Sequence, residues 1–134
     1  MLALVLLATM HDAHAAPDQA DAYSIRLGQL INDYRTQHRL QPLALDAALS
    51  ELAREHAMRM AREERLSHDD FQQRFAKAHS PTCVENVGSN YGTPEAEFEA
   101  WRKSPEHDRN LLDARIARMG IAIERTYVTF FACR

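Results

Sequence analysis

Two histidines and one glutamate in this sequence, His68, Glu85 and His107, carry side chains suited to metal or acid–base chemistry. Two neutral imidazoles and one carboxylate suit a divalent cation such as zinc and leave a coordination position open to water. His107 follows Ser104 in the first turn of a predicted helix, where the helix dipole disfavours protonation near neutral pH. The three residues lie 17 and 22 positions apart, too far for a local metal motif, so only the fold can bring them together.

These residues also have structural interpretations that involve no chemistry. His68 stands before two aspartates and could cap or precede a short helix instead. Glu85 could hold a backbone amide of the adjoining loop. Trp101 and Phe98 are expected in the core, because they share one face at helical spacing. Among the other histidines, we expect His56 to be a core residue with its hydrogen bonds satisfied. We expect His38 and His79 to be surface or loop residues.

The sequence contains two cysteines, Cys83 and Cys133. In an oxidising compartment an isolated pair most simply forms one disulfide. The bond would close a loop of 50 residues. In the chain-entropy model, a loop of this length stabilises the folded state by about 4 kcal/mol. A pair of thiolate metal ligands or a catalytic thiol is the alternative, but the spacing lacks the CxxC pattern that favours either.

The oxidising compartment is expected from the first segment of the chain. Residues 2–10 read LALVLLATM, an apolar run too short to span a bilayer as a helix, and Ala13-His14-Ala15 follows as a small-x-small cleavage pattern. We therefore expect a signal peptide at residues 1–15 and one secreted or periplasmic domain at residues 16–134. No basic residue precedes the apolar run, so either the start codon lies upstream or the charged region is the terminal amine alone. A buried N-terminal helix is the alternative.

Composition supports one ordinary globular domain. The chain has 134 residues, 46% of them hydrophobic and 26% charged, which excludes a disordered or low-complexity protein. Sixteen basic residues against 19 acidic ones give a net charge of −3 without a basic stripe, so nucleic acid is not an expected partner. We expect no transmembrane segment in the mature chain, and a monomer.

Apolar spacing and capping residues predict helices through most of the mature chain. Stripes at three- and four-residue intervals predict helices over residues 21–38 and from Asp46 to about residue 66. Asp70 with Gln73 is typical of a capping box for a short third helix. Thr93 and Ser104, each followed by proline, predict the starts of two more helices, the second running to about residue 112.

At the end of the chain, the spacing of apolar residues changes from the helical interval to every second residue. The segment GIAIERTYVTFFA predicts a hairpin that turns near Arg125 and Thr126, and CVENV predicts one short extended piece in a loop over residues 78–92. Helices followed by antiparallel strands indicate the α+β class, because neither layer buries its apolar face alone.

Four fragments in this order, SHDDF, CVENVG, EAWRKSPEHDRNLL and MGIAI, resemble the bacterial SCP-like branch of the CAP superfamily. This superfamily comprises cysteine-rich secretory proteins, antigen 5 and plant pathogenesis-related proteins. The resemblance covers the chain from about Tyr23 to Cys133. It implies a three-layer α-β-α sandwich, secretion, and a cleft lined by two histidines and acidic groups.

Matched fragment by fragment, the resemblance assigns His68, Glu85 and His107 to this cleft. Many eukaryotic relatives have a further glutamate three residues after the tryptophan, where this chain has Ser104. The resemblance implies a ligand-binding module for a lipid, glycan or cell-wall component, with His68 and His107 as possible ligands of zinc or another divalent cation. A metal- or histidine-dependent hydrolase acting on an amide or ester, and a structural or interaction module without activity, are the alternatives.

Overall fold

The structure is a computed structural model and describes residues 19–134. The predicted signal peptide, residues 1–15, lies outside the described residues. Within the described range the chain forms five helices and four strands. In chain order these are α1 Gln19–Gln37, β1 Ala44–Leu45, α2 Ala47–Glu63, α3 Phe71–Lys77, β2 Cys83–Ser89, α4 Pro94–Lys103, α5 Pro105–Leu111, β3 Arg118–Glu124 and β4 Tyr127–Cys133.

The four strands form one sheet in the order β1-β3-β4-β2. β3 and β4 form the predicted hairpin, which turns at Arg125 and Thr126, and β2 pairs antiparallel with β4 along its whole length. β1 pairs parallel with β3 through two residues only. The predicted extended piece is therefore a full edge strand, whereas β1 was not predicted because a two-residue strand carries no period.

Helices cover both faces of the sheet, which makes the fold the expected α+β, three-layer α-β-α sandwich. On one face, α1, α4 and α5 enclose the larger core with alternate residues of β3 and β4, including Ile121 and Phe130. On the other face, α2 packs on Ala122 and Phe131. Gly120 permits the closest approach, because a Cβ there would lie 2.2 Å from the backbone of Leu49 in α2.

Side-chain capping explains the starts of two helices, α2 and α4. The side chains of Asp46 and Thr93 accept hydrogen bonds from Leu49 N and Ala96 N, so both predicted caps are confirmed. Asp70 and Ser104 also occupy the predicted N-cap positions, but neither side chain bonds to a backbone N–H of its helix, so these two side-chain caps are absent. Asp70 has φ of 60° and pairs with Arg59 instead, and the Ser104 hydroxyl contacts His107.

The predicted disulfide is present between Cys83 and Cys133. These residues are register partners at the ends of β2 and β4. The bond therefore fastens the last residues of the chain to the edge strand that carries Glu85. It anchors the strand on which the candidate site is built.

Candidate functional site

Glu85 lies at the centre of a buried polar network on the α2–α3 side of β2. Its side chain is almost fully buried, yet both oxygens are bonded: Arg74 Nε lies 2.7 Å from Oε2 and Arg74 Nη2 lies 2.8 Å from Oε1. His68 Nδ1 lies 2.9 Å from Oε1. Because a carboxylate only accepts, the His68 ring must carry its proton on Nδ1.

Arg74 positions His68 from two directions. α3 places this arginine against β2, where its guanidinium is buried against Glu85. Its Nη1 also donates to Asp69 O at 2.7 Å, which ties down the loop that precedes α3. The neighbouring His68 is consequently held by its ring and by its backbone, while 53% of its side chain remains exposed.

A third histidine supports the same loop from α2. His56 is buried, as expected of a core residue, and its Nε2 donates to Ser67 O at 2.7 Å. The same Nε2 lies 3.9 Å from Glu85 Oε1. Burial lowers the pKa of His56 and outweighs the opposing effects of the Ser67 bond and the Glu85 charge. His56 is therefore a neutral support for the loop that carries His68.

The partners of Glu85 set its charge. Burial by itself would raise the pKa of the carboxyl, but the hydrogen bonds from His68 and Arg74 and the charge of Arg74 lower it overall. Glu85 is thus an ionised carboxylate inside the protein at neutral pH, and its charge is matched by a buried guanidinium.

His107 approaches from the other side of β2. It lies in the first turn of α5, with Nδ1 2.9 Å from Ser104 Oγ. Asn86 of β2 donates to His107 O at 3.1 Å and thereby fixes the start of α5 on the strand. Asn110 extends this attachment, since its Nδ2 donates to Asn86 Oδ1 at 2.9 Å and to Glu85 O at 3.2 Å.

The two histidines are close enough to interact electrostatically. Burial lowers the pKa of His107, and the charge on His68 lowers it further. β2 is one of the two outer strands of the sheet. His68 precedes α3, which packs on the face covered by α2, and His107 lies in α5, which packs on the other face. The fold thus gathers His68, Glu85 and His107 at this edge. Glu85 bonds to His68, whereas no direct bond joins His107 to either residue within residues 19–134.

A small cavity of about 120 Å³ adjoins the network between α2 and α3. His56, Arg59 and Arg74 are among the polar side chains that line it. Typical sites for drug-sized molecules enclose about 300–1,000 Å³. This cavity therefore suits water or a very small polar group and is too small for a lipid chain.

Sequence reasoning missed Arg74, the residue with the most contacts to Glu85. The pattern offered one signal: in the short helix, Arg74 lies between Phe71 and Phe75 and so near the face expected to be buried. A basic residue on such a face usually has an acidic partner. His38 and His79 are exposed, as predicted for surface or loop residues.

Comparison with known proteins identifies the family of this chain. A model of the cysteine-rich secretory protein (CAP) family matches residues 29–134. The uncharacterized protein YkwD of Bacillus subtilis is 28% identical over 115 residues, covering 80% of this chain and 44% of YkwD.

Two solved structures share the fold. An extracellular protein of Bacillus anthracis containing an SCP domain superposes with a TM-score of 0.82 at 22% identity, over 86% of this chain and 41% of that protein. An outer surface protein of Borrelia burgdorferi superposes with a TM-score of 0.76 at 20% identity, over 82% of this chain and 90% of that protein. The chain thus spans less than half the length of the two Bacillus proteins. It belongs to the CAP family of cysteine-rich secretory proteins.

Proposed function

We propose that this CAP domain works outside the cytoplasm as a ligand-binding module, and that His68 and His107 at the β2 edge are its binding residues. The extracellular Bacillus anthracis protein and the outer surface protein of Borrelia burgdorferi support the location. The disulfide is consistent with it, because such bonds persist in oxidising compartments. No helix within residues 19–134 is long and apolar enough to cross a membrane.

One observation carries the proposal: a buried ion pair holds an exposed histidine in a fixed orientation. Arg74 and Glu85 are both buried, and their pairing directs Nδ1 of His68 inward. Within residues 19–134 no group bonds to the other ring nitrogen, Nε2. Fixing a solvent-facing ring with a buried charge pair is costly for a surface residue that does nothing. It is the usual arrangement for a histidine that binds through its second nitrogen.

The donor set fits a two-histidine metal site and not an all-protein cage. No group of three or more His, Cys, Asp or Glu side chains within residues 19–134 is placed to hold a metal ion. Glu85 is already bonded to Arg74 and His68, and is better suited to supporting His68 than to binding the cation itself. His68 and His107 would hold the cation through Nε2, and a ligand or water would complete its coordination. A metal bound there would act as a Lewis acid toward a polar ligand.

We favour a polar ligand, such as a glycan or a cell-wall fragment bearing a carboxylate, because it can bind at the exposed His68 ring, whereas the neighbouring cavity is too small for a lipid chain. The experiment is a calorimetric titration of zinc into the oxidised protein and into folded His68→Ala and His107→Ala variants. His38→Ala is the matched control, because His38 is exposed and lies at the end of α1.

We expect about one equivalent of zinc to bind to the protein and to the control, and binding to be lost in both site variants. Affinity should fall in acid, because protons compete with zinc for the imidazole lone pairs. Equal binding by all four proteins would place zinc elsewhere. No binding by any of them would remove the metal and leave a metal-free ligand site or a structural module.

A second function, ester or amide hydrolysis, is favoured by the contact between Ser104 Oγ and His107 Nδ1. A histidine at that distance can take the hydroxyl proton as the serine attacks a carbonyl carbon. This reaction predicts turnover of p-nitrophenyl acetate that is lost in both Ser104→Ala and His107→Ala while the melting temperature is unchanged. Turnover that survives in both variants would exclude it.

A further inference from the structure

The opposite edge of the sheet contains an open groove that the proposed site does not use. The groove lies between the first turns of α1 and the first half of α2, with the outer edge of β3 as its floor. Neighbouring cavities of about 470, 290 and 350 Å³ follow this edge from Leu45 to Arg125 and share lining residues such as Asp21 and Ile123. This groove is larger than the cavity beside Glu85.

The floor of the groove is the edge of β3 beyond Met119, which has no neighbouring strand within residues 19–134. β1 pairs with Arg118 and Met119 only, because the chain turns into α2 at Asp46. Asp46 N donates to Met119 O, so the odd-numbered residues of β3 direct their backbone groups outward. The next two are Ile121 and Ile123, and within residues 19–134 their N–H and C=O groups have no partner on that side.

The chemistry of the walls indicates what would fit. Ile25 and Leu45 line the groove and are among the most exposed large apolar side chains of the described chain, at 45% and 61%. Asp21 and Glu124 also line it, and neither forms an ion pair within residues 19–134. Arg125 lines the same end as Glu124, but its guanidinium donates to Ala61 O of α2. The other acidic residues at the groove are neutralised, Glu51 by Arg54 and Asp46 by Arg118.

We propose that this edge binds an extended peptide segment of another protein as an added strand beside residues 120–124 of β3. The backbone groups of Ile121 and Ile123 would pair with the peptide backbone, as in other cases of strand addition to a free sheet edge. Apolar side chains of the peptide would contact Ile25 and Leu45, and basic side chains would face Asp21 and Glu124. A segment of about five residues fills the floor, since a strand rises about 3.4 Å per residue.

The test uses the peptide acetyl-KVTVK-amide, because main-chain pairing is tolerant of sequence. Amide hydrogen exchange at Ile121 and Ile123 is followed by NMR at roughly millimolar peptide. We expect exchange at these two amides to slow about tenfold, with no change on β2 at the other edge. Unchanged exchange at both amides would overturn the proposal.

Two further peptides separate the contribution of backbone pairing from that of charge. A copy N-methylated at the amides that face β3 keeps the apolar surface and loses the donors, so it should not bind. Equal binding by this copy would show an apolar groove without strand pairing and overturn the proposal. Acetyl-EVTVE-amide should bind at least about threefold more weakly because of Asp21 and Glu124, and equal or tighter binding would contradict the proposed preference for basic segments.

Two substitutions confirm the location. Leu45→Lys should weaken binding of acetyl-KVTVK-amide about tenfold, through a lost apolar contact and a repelling charge. Leu66→Lys is the matched control, because Leu66 is similarly exposed and lies outside the groove. Equal weakening in both variants would place the peptide elsewhere and contradict the assignment.

Discussion

Two buried glutamates beside β2 differ in what surrounds them. Glu85 is 5% exposed and bonded to Arg74 and His68. Glu97 of α4 is fully buried against Gly88, and both of its carboxyl oxygens have no hydrogen-bond partner within the described residues. The pKa of Glu85 is lowered, whereas burial raises the pKa of Glu97 to about 7.

The difference shows that partners, and not burial, decide how such a carboxylate behaves. Both groups lose their hydration, which favours the protonated form, but only Glu85 recovers the loss through charged hydrogen bonds. Glu85 consequently contributes stability above its ordinary pKa and loses it in acid. Glu97 has the opposite dependence, because its folded-state pKa is raised. Glu85 therefore favours the ionised form inside the protein, whereas Glu97 favours the neutral, protonated form.

The largest expected effect comes from removing the partner of Glu85. Arg74→Met leaves a buried carboxylate without its cation, and we expect the free energy of unfolding in urea to fall by about 3–5 kcal/mol. The double variant Arg74→Met, Glu85→Met should recover much of this loss, because no buried charge remains. Arg102→Met, which removes an exposed arginine paired with Glu99, should leave stability nearly unchanged. A small effect at Arg74, equal to that at Arg102, would contradict the account of Glu85.

A somewhat smaller effect is expected at Glu97. Between its ordinary pKa of 4.5 and about 7, the unfolded chain releases the Glu97 proton while the folded chain keeps it. Stability therefore falls by about 3 kcal/mol as the pH rises through this window, and stays level above it.

Glu97→Gln removes this contribution. We expect the variant to be about 3 kcal/mol more stable than the wild type at about pH 8, and nearly equal to it at about pH 4. Denaturant unfolding at a series of pH values measures the stability of the variant and of the wild type. Glu99→Gln on the same helix is the control, since that carboxylate is exposed, and it should not show this pH dependence. A difference between Glu97→Gln and wild type that does not change with pH would contradict the raised pKa.

The smallest of the three effects concerns the glycine against which Glu97 packs. A Cβ at Gly88 would lie 1.6 Å from Glu97 Oε1, so Gly88→Ala forces this side chain out of place. We expect a loss of about 1–3 kcal/mol in thermal or urea unfolding, typical of overpacking. Adding Glu97→Ala should relieve most of the loss, and a purely additive double variant would show that the two residues do not compete for space.

The sequence predicted the elements whose signals are local. The stripes of α1 and α2, the cap at Thr93 and the alternation of β3 and β4 each depend on neighbouring residues, and all appear in the structure. β1 escaped prediction because only its position beside β3 makes two residues a strand. Ser104 stands at the predicted N-cap position, but its hydroxyl bonds to the His107 ring and not to the helix backbone.

The candidate site was predictable by residue type and not by arrangement. Resemblance pointed to His68, Glu85 and His107, but the partners of Glu85 come from two other elements of the fold. Arg74 and His56 meet Glu85 only because α2 and α3 pack on the same face of the sheet. Contacts made across the fold in this way leave no periodic signal in the sequence.

The most direct test of how the buried ion pair orients His68 is to determine the tautomer of this histidine. NMR of the ring nitrogens at about pH 8, with and without zinc, makes this measurement. The account predicts that Nδ1 of His68 carries the proton donated to Glu85, and that zinc shifts Nε2 of His68 and of His107. A proton on Nε2 of His68, with no change at either ring when zinc is added, would contradict the claim that the buried ion pair presents this histidine for binding.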